Sequence, residues 1–174
     1  MNLGSPDLIL IKGAPGVGKS TAAKLLAPHF PSGTRVEVDV LRQMVISVDW
    51  KNQAEHRSVL ALSAHLAAGF LRAGHSPVVV IDTFSGDKLD GFLSEFHAHL
   101  PVARVFVAVL HAASHALRRR VEHRQPGEFR DVGVALRINS ESLSGVRPIE
   151  TLIDTTDLSP PEVCQAILGA LHST

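Results

Sequence analysis

Two glycines, a lysine and a serine near the start of the chain follow the spacing Gly-x-x-x-x-Gly-Lys-Ser, from Gly13 to Ser20. Glycines let backbone N–H groups turn inward around a phosphate without steric conflict at Cβ. The lysine can reach the β- and γ-phosphates of a nucleotide, and the serine hydroxyl can hold Mg²⁺. We therefore predict a site for ATP and Mg²⁺. Its predicted contacts are Gly13, Ala14, Pro15, Gly16, Val17, Gly18, Lys19, Ser20 and Thr21.

A carboxylate, Asp39, ends the strand-like run 35–38, and Arg42 follows it three residues later. Phosphoryl transfer to a hydroxyl benefits from a carboxylate that orients the hydroxyl and accepts its proton. An arginine one helical turn away can hold the acceptor or a phosphate on it. We predict these two catalytic roles for Asp39 and Arg42. The alternative is that Asp39 only caps the helix that follows it.

A second carboxylate, Asp82, directly follows the apolar run 78–81. An aspartate at such a place commonly holds the serine of the phosphate-binding loop or a water bound to Mg²⁺. We predict that Asp82 and Ser20 together form the metal site. The alternative is an aspartate that starts a turn toward Ser85 and Gly86.

Four arginines, Arg118, Arg119, Arg120 and Arg124, crowd a later helical stretch. Arg120 and Arg124 are four residues apart and share one helix face. Arginine stabilises the charge on a transferring phosphoryl group with planar, bidentate geometry. We predict that Arg120 and Arg124 are catalytic, contact the nucleotide and lie on a lid at about 117–145. The alternative is a solvated basic helix face.

The composition limits the classes of protein. The 174 residues suit a single domain over 1–174, and a hydrophobic content of 45% suits a buried core. Lys and Arg total 17, as do Asp and Glu, and this neutrality argues against broad binding to nucleic acid or a membrane. The single Cys164 excludes an internal disulfide, and no signal segment is evident, so we expect a cytoplasmic protein. The ten histidines are scattered singly, which favours surface or helix-end positions.

Strand-like runs alternate with helical ones along the chain. Ligands bind beyond the carboxyl ends of parallel strands, so Gly13, Asp39 and Asp82 should meet in one crevice. Five strands joined by helices predict an α/β fold whose parallel sheet is covered on both faces. Apolar runs predict strands at 8–11, 35–38, 77–81, 102–110 and 151–153. Helical periodicity and end signals predict helices at 19–29, 40–48, 52–73, 87–99, 113–124 and 160–171, with a loop and one short helix at 125–147.

The order of these motifs resembles the small P-loop kinases. It is nearest in motif to the kinase domain of phage polynucleotide kinase, and chloramphenicol phosphotransferase and zeta-toxin kinases share much of the plan. The stretch 152–162 resembles the last strand and helix of gluconate kinase. The resemblance implies a three-layer αβα P-loop fold with the adenylate-kinase-like strand order 2-3-1-4-5. The segments similar to polynucleotide kinase are residues 13–21, 39–43, 80–83 and 117–124.

The resemblance also implies ATP-dependent transfer of the γ-phosphate to a hydroxyl on a small molecule or on a polynucleotide 5′ end. Phe84 stands where the polynucleotide kinases have an asparagine, and the neutral charge adds weight against a nucleic-acid acceptor. One alternative is a P-loop ATPase or nucleotide switch without an acceptor. Another is a binding module that has lost its chemistry, against which the intact Lys19, Ser20, Asp39 and Asp82 speak.

Overall fold

The computed structural model describes residues 6–125 and 127–173, in which parallel strands alternate with helices. The strands are β1 (Leu8–Lys12), β2 (Thr34–Glu37), β3 (Val78–Ile81), β4 (Val105–His111) and β5 (Glu150–Asp154). The helices are α1 (Lys19–Leu26), α2 (Val38–Gln43), α3 (Gln53–Arg72), α4 (Lys88–His99), α5 (Ser114–Glu122), α6 (Val132–Ser144) and α7 (Pro160–His172). None of the described helices combines the length and the apolar character that crossing a membrane requires.

The sheet has the order β2-β3-β1-β4-β5, and every neighbouring pair of strands is parallel. Within the central strand, Ile9 pairs with Val79 of β3 on one side and with Phe106 of β4 on the other. This arrangement confirms the predicted α/β three-layer fold and its strand order.

Side chains of β1 alternate between the two layers of helices, as the period of two in a strand requires. Ile9 and Ile11 join a buried cluster with α1, α5 and α7, whereas Leu8 and Leu10 join a second cluster with α3 and α4. All four side chains are fully buried, because both faces of a parallel sheet are covered. The sheet is thus a packed support for the loops at its carboxyl edge.

Two predicted elements differ from the structure. Helix α2 begins at Val38, so Asp39 lies in the first helical turn rather than at the end of a strand. The segment 125–147, predicted to be a loop with one short helix, contains the 13-residue helix α6. Asp131 begins α6 by accepting a hydrogen bond from the backbone N–H of Val134 at 2.9 Å, a capping signal within an otherwise weak apolar pattern.

Candidate active site

The predicted phosphate loop joins the end of β1 to the start of α1, at the carboxyl edge of the sheet. Gly13 has φ 144°, and a Cβ added there would lie 2.3 Å from the carbonyl oxygen of Leu110. A Cβ on Gly16 would lie 2.7 Å from a methyl group of Val121 in α5. The loop therefore needs glycine at both positions, because neighbouring chain passes too close for any side chain.

Lys19 begins α1 and folds back over this loop. Its ammonium donates hydrogen bonds to the carbonyl oxygens of Gly13 at 2.8 Å and Ala14 at 2.9 Å. Burial lowers the pKa of Lys19 to about 8, and Arg124 adds to this effect while Asp82 and Asp39 oppose it. An ammonium held by neutral carbonyls rather than by a carboxylate keeps its charge for an arriving phosphate.

Asp82 follows β3 and is buried. Its two carboxylate oxygens are 3.0 Å from Nε2 of His56 and 2.9 Å from the backbone N–H of Phe84. Burial pushes the pKa of Asp82 upward, but the contacts with His56, the Phe84 N–H and the charge of Lys19 leave it below its ordinary value. Asp82 is therefore held as a carboxylate. Phe84 has the left-handed φ of 47°, a strained backbone that places its N–H on this carboxylate.

Asp39 lies open to solvent on the crevice wall, in the first turn of α2. The protein atoms crowded around it and the charge of Asp82 raise its pKa, whereas Lys19, Arg42 and His56 lower it by smaller amounts. The electrostatic influence of these groups on Asp39 indicates that they lie near it at the carboxyl edge of the sheet. The two carboxylates thus lie in one site with opposite pKa shifts, an arrangement typical of groups with different chemical roles.

Arg42, predicted to hold the acceptor, belongs to α2 and its side chain is buried. Its guanidinium stacks 4.6 Å from the ring centroid of Trp50, donates a hydrogen bond to the carbonyl oxygen of Asp49 at 3.1 Å, and lies 3.5 Å from Glu55. Its Nε has no hydrogen-bond partner among the described residues. Arg42 therefore forms a packed cluster with Trp50 and Glu55.

The two arginines of the predicted lid have different surroundings. Arg124 lies close enough to influence the charge of Lys19, and its guanidinium contacts the carbonyl oxygen of Phe129 at 3.2 Å. Arg120 instead donates to the hydroxyl and the carbonyl oxygen of Thr155, at 3.0 and 2.5 Å. The nucleotide contact predicted for these arginines stays a prediction. Pro126, within the predicted lid, lies outside the described residues.

Thr155 connects the end of β5 to the phosphate loop. Its buried hydroxyl accepts from Arg120 and lies 2.9 Å from the carbonyl oxygen of His111 and 3.2 Å from that of Val17, either of which can take its proton. The adjacent helix is fixed as well, because Asn139 of α6 exchanges hydrogen bonds with the backbone of Ala112. The predicted lid region is therefore anchored to the sheet at both of its helices.

The sequence patterns did not single out His56, Lys88 or Thr155 as residues of the candidate site. His56 was expected among surface or helix-end histidines, but it is buried. It continues the apolar stripe of α3 at the spacing of Val59, Leu60 and Ser63, and this periodicity was the available signal. Lys88 begins α4, is buried, and donates to the hydroxyl of Ser85 at 3.2 Å.

Lys88 lines a cavity of about 210 Å³ between α3 and α4, beside the crevice. Burial lowers its pKa, and its charge interacts with that of Asp82. The other lining residues are Arg57, Leu60, Ala61, Gly91 and Phe92. Arg57 is already paired with Asp87, whereas Lys88 forms no ion pair with any carboxylate in the described part of the chain.

The donor set near the loop fits Mg²⁺. Ser20 presents an exposed hydroxyl at the start of α1, and Asp82 presents a carboxylate that its surroundings keep ionised. Hydroxyl and carboxylate oxygens are the ligands this ion prefers.

This fold and loop define a P-loop protein. The family model described as an AAA domain, AAA_18, matches residues 9–133, and the chain belongs to this family. No curated protein sequence matches the chain.

Solved structures of small kinases and related proteins share the whole fold. A gluconokinase from Sinorhizobium meliloti 1021 is 20% identical with a TM-score of 0.69, over 97% of this chain and 93% of that chain. The tunicamycin resistance protein of Deinococcus radiodurans is 21% identical with a TM-score of 0.70, over 96% and 95%. The APS kinase CysC of Mycobacterium tuberculosis, in complex with AMPPNP and APS, is 16% identical with a TM-score of 0.68, over 98% and 99%. At these identities the likeness establishes the fold.

Proposed function

We propose that this protein is an ATP-dependent phosphotransferase that moves the γ-phosphoryl group to a hydroxyl on a small molecule. One observation carries the proposal: the ammonium of Lys19 is hydrogen-bonded to the phosphate loop and lies near three further charged groups. The charges of Asp39, Asp82 and Arg124 all act on the pKa of Lys19. Membership of the P-loop family and the shared fold of small kinases support it. A hydroxyl acceptor accounts for a second, solvent-open carboxylate.

On the donor side, the loop amides and Lys19 bind the β- and γ-phosphates. Ser20 and Asp82 would hold Mg²⁺, which neutralises charge on the phosphates when bound. His56 fixes the orientation of Asp82 through its 3.0 Å contact. The contacts of Asp82 with His56 and with the backbone N–H of Phe84 keep Asp82 ionised. The proton of the acceptor hydroxyl therefore goes to Asp39.

On the acceptor side, Asp39 orients the hydroxyl and accepts its proton as the new O–P bond forms. The bond between the γ-phosphorus and the β–γ bridging oxygen breaks in the same step and ADP leaves. Its raised pKa makes it a stronger base than an ordinary aspartate while leaving it open to the acceptor. Arg42 and Trp50 form the wall against which the acceptor rests.

Arg124 and Arg120 have different roles in this proposal. Arg124, which influences Lys19, stabilises charge on the transferring phosphoryl group. Arg120 is a positioning residue, because its hydrogen bonds reach Thr155, and Thr155 in turn lies against the backbone of the loop at Val17.

The acceptor carries an anionic group beside its hydroxyl. Lys88 supports this assignment, because its buried ammonium lines the cavity without a carboxylate partner among the described residues. A carboxylate or phosphate on the acceptor would supply that partner.

The test is ATP consumption with Mg²⁺ against a panel of sugar acids, neutral sugars, nucleosides, nucleoside monophosphates, aminoglycosides, chloramphenicol-like drugs and 5′-hydroxyl oligonucleotides. We expect turnover that depends on an anionic small-molecule hydroxyl, with labelled phosphate recovered on that compound. The Lys88→Met variant should raise the KM for the acceptor and leave that for ATP unchanged. Turnover that no hydroxyl compound alters would support the acceptor-free ATPase instead, and transfer to oligonucleotides alone would overturn the small-molecule assignment.

A further inference from the structure

Three side chains that can bind metals meet where α3 packs on α4, away from the phosphate loop. They are His65 of α3 and Glu95 and His99 of α4, and one ligand atom from each lies within 4.8 Å of the others. Nε2 of His65 is 2.5 Å from a carboxylate oxygen of Glu95, and Nε2 of His99 is 3.8 Å from the same oxygen. Two imidazoles and a carboxylate are a donor set that suits divalent transition metals.

The backbone fixes the arrangement of these groups. Glu95 and His99 are four residues apart, so α4 presents both on one face. His65 reaches them from α3, and its ring lies edge-on to that of His99 with centroids 4.5 Å apart. A site that draws ligands from two packed helices changes little when a metal enters.

His99 supplies the observation that points to a ligand. Its Nε2 is closed off from solvent and has no hydrogen-bond partner within the described residues. The 3.8 Å to Glu95 is too long for a hydrogen bond. Arg72 contacts His99 only at the backbone carbonyl, at 2.9 Å, and leaves the imidazole untouched. A buried polar atom without a partner is unfavourable, and a bound metal would satisfy it.

We propose that His65, Glu95 and His99 bind a divalent transition metal, for which Zn²⁺ is the probe, with water as the remaining ligand. Tetrahedral Zn²⁺ with bonds of about 2.0–2.1 Å separates its ligand atoms by about 3.3 Å. The short contact to His65 would open and the long one to His99 would close, each by less than about 1 Å. Mg²⁺ prefers oxygen ligands alone, so this site is distinct from the nucleotide site.

The metal would join the two helices that line the cavity beside the crevice. His65 lies eight residues beyond Arg57 on α3, about 12 Å along the helix axis. Glu95 and His99 lie one and two turns beyond the cavity residue Phe92 on α4. Metal binding would therefore stiffen the walls of the cavity without touching the phosphate loop.

The test is calorimetric titration of the metal-free full chain with Zn²⁺ in the absence of nucleotide. We expect one saturable equivalent and a rise in Tm. His99→Ala and, on the other helix, His65→Ala should each weaken Zn²⁺ binding by about tenfold or more. The matched control is His97→Ala, which removes a histidine from the same helix two residues away.

A second readout is the visible absorption of Co²⁺, which reports the ligand set directly and should be lost with Glu95→Gln. No saturable Zn²⁺ binding by the wild type would overturn the proposal. So would binding that His97→Ala weakens as much as His99→Ala and His65→Ala do. Circular dichroism of each variant separates loss of a ligand from loss of fold.

Discussion

Lys12 and Lys19 lie seven residues apart on either side of the phosphate loop, and their ammonium groups have different partners. The ammonium of Lys12 donates to both carboxylate oxygens of Glu150, at 2.9 and 3.0 Å. Arg147 adds a further contact to Glu150 at 3.1 Å. Among the described residues, the hydrogen-bond partners of Lys19 are carbonyl oxygens alone, and burial lowers its pKa to about 8.

The difference separates a charge that is paired within the protein from one for which we propose a function. Burial raises the pKa of Glu150, yet its hydrogen bonds to Lys12 and Arg147 hold it below its ordinary value, so the pair is satisfied within the protein. The charges of Asp39 and Asp82 raise the pKa of Lys19 and that of Arg124 lowers it, but Lys19 forms no ion pair of its own within the described residues, so its charge is incompletely compensated. Incomplete compensation is what leaves a site ready for a charged ligand.

The largest expected effect is a loss of kcat without a loss of ATP affinity, when Asp39 near Lys19 is substituted. Asp39→Asn removes the proposed base but keeps the size of the side chain. We expect kcat to fall by about 10²–10⁴-fold, with little loss of affinity for ATP because the loop is untouched. Steady-state kinetics with the best acceptor and calorimetry with an ATP analogue measure the two quantities.

Asp49→Asn is the matched control for that variant, because Asp49 is an exposed aspartate just beyond α2. Its kcat should stay near that of the wild type. Full activity in Asp39→Asn would show that another group accepts the proton.

The next largest effect is on stability and results from breaking the ion pair of Lys12 and Glu150. Glu150→Gln leaves the ammonium of Lys12 buried without a carboxylate, and we expect a loss of about 3 kcal/mol in the free energy of unfolding. Urea denaturation measures it. The folded fraction should keep its activity, because Glu150 takes no part in the proposed chemistry.

A double variant sharpens this test. Lys12→Met with Glu150→Leu replaces both charges by apolar groups, so most of the lost stability should return. A double variant that is less stable than Glu150→Gln would show that the ion pair itself, rather than the avoidance of an unpaired charge, stabilises this region.

The smallest effect is a pH dependence of nucleotide affinity. Below pH 8 Lys19 is charged in the free protein, so binding phosphate requires no proton uptake. As pH rises above 8 the free protein loses this proton and binding must recover it, so the affinity for Mg²⁺·ATP should fall by up to about tenfold per pH unit. Calorimetry with a non-hydrolysable analogue between pH 7.5 and 9.5 measures the slope.

Lys19→Arg provides the control for the pH dependence, because a guanidinium stays charged throughout this range. Its affinity should show a flatter profile. An equal slope in both proteins would assign the titration to another group.

Much of the fold follows from local sequence. The unbroken apolar run of β1, the glycines after it and the aspartate after β3 each depend on neighbours within a few residues, and the structure places them as expected. The predicted length of α6 was too short because Gly133 and Arg137 interrupt its apolar pattern. In addition, Asn139 anchors this helix through hydrogen bonds with the backbone of Ala112, 27 residues away.

The site was predictable where a single segment carries the chemistry. The loop at Gly13–Ser20 and the carboxylate Asp82 could be chosen as candidates from their own surroundings, and their roles stay predictions. His56 could not, because its partner lies 26 residues away and a buried histidine resembles any other residue of an apolar stripe. The partners of Arg120, on the loop after β5, depend equally on the tertiary fold.

The contact between Thr155 and the phosphate loop also orders the events of synthesis. The ribosome completes the loop before any of the helices and the other four strands, and Thr155 follows 138 positions after Val17. Domains form as units while the chain emerges, and the hydroxyl that lies against the loop backbone appears long after the loop itself. The phosphate loop therefore gains this support only after synthesis has passed Thr155.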